Sequence, residues 1–80
     1  MLKAARAKYV MMNAPRSALD EIRRVIPGME DPSVMALGTD GQKIAIHAVA
    51  YEEIFWDTIE TLQKLGATSI LVLPIEKVIA

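Results

Sequence analysis

Four prolines, at positions 15, 27, 32 and 74, constrain the fold of this 80-residue chain more than any other feature. Proline has no backbone N–H to give to a ladder, so within a sheet it is confined to edges, strand ends and bulges. The apolar runs around the prolines sort themselves accordingly. KYVMMN (8–13) and KIAIHAVA (43–50) contain no proline and suit the centre of a sheet. SVMAL (33–37) starts at Pro32, and SILVLPI (69–75) carries Pro74, so both suit edges.

Two helical patterns lie between these runs. Ala18, Leu19, Ile22, Val25 and Ile26 recur at helical spacing, with Asp20, Glu21, Arg23 and Arg24 between them. Pro15 suits a first helical turn, Ser17 with Asp20 resembles a capping pair, and Pro27-Gly28 is a stop. A second helix is expected from Tyr51 to Leu65, with Ile54, Phe55, Thr58, Ile59, Leu62 and Leu65 as its apolar stripe. Gly66 stands where a C′ glycine belongs, and GTDGQ (38–42) reads as a turn. The order is βαββαβ, an α+β, ferredoxin-like arrangement: a four-stranded antiparallel sheet with strands 1 and 3 central and two helices on one face. No linker, repeat or low-complexity tract interrupts it, so residues 1–80 read as a single domain.

The helix-free face of such a sheet alternates toward polar residues when it meets water. Here it does not. The first strand is apolar at Val10 and Met12 and also at Tyr9 and Met11. The fourth offers Ile70 and Val72 on one side and Leu71, Leu73 and Ile75 on the other. A sheet apolar on both faces requires cover on both, and the chain contains no third layer. Composition points the same way. A chain this short buries only about 60–65% of its unfolded surface and usually leans on disulfides, a metal or oligomerisation. There is no cysteine, and one histidine, His47, cannot assemble a metal site with sequence-local partners. Oligomerisation remains. Trp56, beside the second helix's stripe, suits a partly buried core position or an interface anchor equally well.

Other classes are excluded. Nine basic against ten acidic side chains leave no basic face for nucleic acid, and Tyr9 alone supplies a stacking aromatic on the central strands. No apolar run approaches the roughly 18–20 residues of a membrane span. MLKAARAKYV lacks the apolar stretch and cleavage site of a signal peptide, and the lack of cysteine fits the cytoplasm. Adjacent acids, Asp20-Glu21 and Glu52-Glu53, point in different directions on a helix and suit solvated faces or first-turn positions. GTDG is no phosphate cradle, and His47 on a strand reads as a packed, hydrogen-bonded side chain. Catalysis by these residues alone is not expected. Binding survives, because Asn13, Ser33, Thr68 and Ser69 place polar groups at strand beginnings and ends.

KYVMMNAP, IPGMEDPSVMAL, IAIHAV and GATSILVLPIEKVI together resemble the C-terminal regulatory domain of long-form ATP phosphoribosyltransferase, over about residues 5–79. The resemblance implies an ACT-like domain that binds L-histidine, the end product of histidine biosynthesis, and feeds back on the catalytic domains. It also implies packing against other copies in trimer or hexamer contacts, with histidine held near them. Carried over by position, the ligand residues are Asn13, Met29, Ser33, Val49 and Ser69, with Thr68 beside them. Asn13 stands where some relatives have aspartate, and an amide oxygen receives an ammonium less strongly than a carboxylate. Some relatives have threonine at the position of Ser33, which keeps the hydroxyl, and alanine at that of Ser69. Phosphoribosyl transfer belongs to catalytic domains outside these residues. So does the Mg2+ that chemistry uses; no cofactor is expected in this chain.

Overall fold

The computed structural model describes residues 7–26, 28–77 and 79. Its elements run β1 (Lys8–Pro15), a 3-10 turn (Arg16–Ala18), α1 (Leu19–Val25), β2 (Ser33–Leu37), β3 (Lys43–Ala50), α2 (Trp56–Lys64) and β4 (Thr68–Pro74). The four strands form one antiparallel sheet in the order β2-β3-β1-β4, the ferredoxin-like arrangement with β1 and β3 central.

One face of the sheet meets both helices. Val10, Met12, Ile44 and Ile46 from the central strands pack with Ile22 and Ile26 of the first helical segment and with Leu62 of α2. Each of these is at most 3% exposed. At roughly 1.5–3 kcal/mol per fully buried aliphatic side chain, this layer supplies most of the folding drive. The opposite face carries Tyr9, Met11 and Asn13 of β1, half-buried, and Leu71 and Leu73 of β4 at 50% and 46% exposure. Met35 on β2 is 62% exposed.

The local structure departs from the sequence reading at four points. Pro15 ends β1 instead of opening a helix, and is tolerated in a central strand because it is the last residue, opposite Lys43. No side chain caps either helical start; the Ser17–Asp20 capping pair does not form. Asp20 and Glu21 do occupy the first turn of α1, and Arg23 and Arg24 its last, as the helix dipole favours. The second helix begins at Trp56, five residues later than expected. Tyr51 N–H donates to Gly28 O at 3.0 Å, which holds the chain extended past β3. Glu52 and Glu53 therefore precede the helix, Phe55 leaves the stripe at 65% exposure, and Asp57 is the first-turn acid.

Two glycines are required where they stand. Gly66 (φ +98°) ends α2, and a Cβ there would lie 2.9 Å from Pro15 Cγ. Gly28 (φ +67°) lies so close to the loop before α2 that a Cβ would meet Glu52 Cγ at 2.9 Å. Pro27, the other half of the expected stop, lies outside the described residues.

Candidate functional site

Two of the clefts among the described residues carry candidate side chains, one toward each edge of the sheet. The first, of about 370 Å³, lies over β3 and the approach to β2, with Ser33, His47, Val49, Tyr9, Glu30 and Asp31 in its wall. Register explains the grouping. Ser33 pairs with His47 across β2–β3, and Val49 pairs with Tyr9 across β3–β1. The turn after α1 is tied down by an isolated bridge between Met29 and Ala50 and by Glu30 N–H donating to Val49 O at 3.1 Å. That bridge fixes Glu30 and Asp31 beside the cleft, and Asp31 accepts from Arg23 Nη2 at 3.2 Å.

The second cleft, of about 550 Å³, lies between α2 with its approach loop and β4. Thr68 and Ser69 contribute its polar wall with Gln63, while Ile54, Ile59 and Trp56 contribute apolar surface. The β1–β4 ladder slips here: Met11 pairs with Leu71 but Asn13 pairs with Thr68, so Met12 faces two residues, Ser69 and Ile70. The bulge puts Ser69 at φ +52°, the only non-glycine residue with positive φ among those described.

The six candidates from the sequence therefore fall into separate places. Ser33 and Val49 share the first cleft; Thr68 and Ser69 share the second. Asn13 stands on the helix-free face of β1, opposite Thr68 on one side and Ala45 on the other. Met29 packs against the core beneath the turn. With β3 and β1 between them, β2 and β4 are about 14 Å apart at ordinary strand spacing, so Ser33 and Ser69 do not reach one small molecule within a single chain. Sequence reasoning did not place Glu30, Asp31, Tyr9 and His47 beside Ser33. Period-two alternation groups Tyr9 with the outer face, but only the register shows that His47 lies opposite Ser33.

Among the described residues, no group of three or more histidine, cysteine, aspartate or glutamate side chains could hold a metal ion. No helix among them is long and apolar enough to cross a membrane.

Fold and clefts define a small α+β sheet domain with one covered face, one open apolar face and polar groups gathered toward both sheet edges. The family model described as HisG, C-terminal domain, matches residues 4–77, and the chain belongs to that family: it is a C-terminal domain of the ATP phosphoribosyltransferase of histidine biosynthesis.

Proposed function

We propose that this chain is a single regulatory domain that binds L-histidine and transmits its presence to the catalytic domains of ATP phosphoribosyltransferase, in the cytoplasm, through contacts between copies of itself. The observation that carries the reading is the pairing of an apolar, uncovered sheet face with polar groups at two separated edges. Met35, Leu71 and Leu73 on that face stand 62%, 50% and 46% exposed in one chain, which favours a second copy as cover. Ser33 and Val49 in one copy, completed by Asn13, Thr68 and Ser69 of another, give a zwitterion an apolar wall, hydroxyls and an amide. Asn13 Oδ1 accepts from the ligand ammonium; Ser33 bonds a polar end; backbone groups at the Ser69 bulge supply the rest. Met29 shapes the first cleft from below by fixing the turn.

Regulation follows if histidine binds one packing of the copies better than another. A coupling of about 1–3 kcal/mol is typical of such control. The test is a calorimetric titration of the chain with L-histidine at a concentration where sedimentation gives its oligomeric state. The expected result is saturable, histidine-selective heat, weakened by Ser33→Ala with assembly unchanged. Absence of heat from a folded, assembled sample refutes self-contained sensing. It leaves the second reading, an oligomerisation module without ligand, which the same exposed Met35, Leu71 and Leu73 favour.

A further inference from the structure

The cleft beside Ser33 holds a pair that the proposed site has not used. Tyr9 Oη and His47 Nδ1 are 2.8 Å apart, with the rings edge to face at a centroid separation of 5.9 Å. His47 is the chain's only histidine and stands on central β3, opposite Ser33 on one side and Met11 on the other. The other titratable groups in the cleft wall are Tyr9 from β1, Glu30 and Asp31 from the turn before β2, and Tyr51 after β3. Arg23 is engaged by Asp31. From β4 this face receives Leu71 and Leu73, which carry no charge. His47 is thus the one residue of this wall able to present a cation.

We propose that His47 is itself a ligand contact: held at Nδ1 by Tyr9, it gives its Nε2–H to the carboxylate of a bound free amino acid and carries a proton while doing so. The proposal rests on the reading above that this cleft takes an amino acid. The chemistry follows from the pair. A phenol hydroxyl both donates and accepts, so Tyr9 keeps its bond whether Nδ1 is bare or protonated. In the protonated ring Nδ1–H donates to Tyr9 Oη, and Nε2–H becomes a charge-assisted donor aimed away from it. A carboxylate leaving water exchanges strong hydrogen bonds for whatever the site offers. Ser33 offers a neutral hydroxyl, and the tyrosines offer neutral phenols. His47 adds the charge. Glu30 and Asp31 on the same wall supply the opposite sign, and this arrangement suits a zwitterion better than a simple anion.

The test compares the unaltered chain with His47→Gln by calorimetric titration with L-histidine between pH 6 and pH 8. Both proteins meet the same ligand, so the ligand's own ionisation cancels in the ratio of their affinities. That ratio is expected to rise from pH 8 to pH 6 by up to about tenfold, as it does when the bound ligand strengthens the ring's hold on its proton by about 1.4 kcal/mol. In 13C-labelled protein the single histidine ring resonance reports the proton directly. Its titration is expected at higher pH with saturating unlabelled L-histidine than without, a shift that a merely structural ring would not show. If the unaltered chain binds histidine while the ratio stays flat and the resonance does not move, the role of His47 is refuted and the site stands. If the unaltered chain binds no histidine, both fall. Should His47→Gln fail to fold, the resonance in the unaltered chain decides alone.

Discussion

The two faces of the sheet carry similar residues and meet different surroundings. Toward the helices stand Val10, Met12, Ile44, Ile46, Ile70 and Val72; away from them stand Tyr9, Met11, Val49, Met35, Leu71 and Leu73. On the first face the central-strand side chains are 0–2% exposed, while Met35, Leu71 and Leu73 on the second keep about half of their surface in water. Folding of one chain buries Val10, Met12, Ile44 and Ile46 fully and Ile70 and Val72 in part. It gives no reason for the second, because each buried CH2 is worth roughly 0.8 kcal/mol only where something covers it. The difference teaches that the two faces answer to separate equilibria. One governs whether the chain folds, the other what the folded chain meets.

The sharpest way to break this comparison is to damage each face in turn. Leu62 is 1% exposed and is the buried residue of α2. Leu62→Ala is expected to cost about 2–5 kcal/mol. In a domain of this size that lowers the melting temperature by ten degrees or more, read by circular dichroism. A loss below about 1 kcal/mol would mean that the helix layer is not the core.

Next in size is the pair Leu71→Asp with Leu73→Asp on the open face. Both positions are about half exposed in one chain, so the dilute protein should melt within about 0.5 kcal/mol of the parent. Self-association followed by sedimentation velocity should weaken at least tenfold, or about 1.4 kcal/mol. If the two faces are equivalent instead, the melting temperature falls with the first measurement and assembly does not separate from folding.

Third comes Gly66→Ala, where helix layer and sheet meet. The substitution puts a Cβ at φ +98° and 2.9 Å from the Pro15 ring that ends β1. A loss of about 1–2 kcal/mol is expected from the left-handed backbone alone. Urea denaturation measures it, with the slope unchanged if only the folded state is affected.

This junction also shows what could be read from the chain. Gly66 as a helix terminator, the central placing of the proline-free runs and the β2-β3-β1-β4 order all follow from local chemistry. Each depends on a missing donor, a missing Cβ or a period of two, and neighbouring residues carry those signals. The start of α2 does not. Ile54 and Phe55 fit the helical period, yet Tyr51 N–H is captured by Gly28 O, more than twenty residues away, and the period is overridden. The candidate site divides the same way. Polar residues at strand ends are visible as residue types, and the resemblance assigns them a ligand. Their separation onto opposite edges depends on strand order, and the Ser69 bulge depends on how β4 registers against β1. The separation follows once that order is read; the bulge is not written in any short stretch.

The smallest effect sharpens the comparison at that bulge. Ser69 holds φ +52°, a conformation that L-residues adopt at a cost, and its side chain is exposed beside the second cleft. Removing the Cβ relieves that cost but adds chain entropy to the unfolded state, so Ser69→Gly is expected to stabilise by only about 0.5–1 kcal/mol. The variant separates two roles that the residue combines. If the proposed site uses backbone groups of the bulge, the glycine keeps them in place, and L-histidine affinity stays within about twofold of the parent by calorimetry. If the hydroxyl is the contact, affinity falls by more than fivefold while stability still rises, as loss of a hydrogen bond worth about 1 kcal/mol or more requires. A variant less stable than the parent would show that the strained backbone belongs to Ser69 for a packing reason, and the edge at β4 would then be part of the fold before it is part of a site.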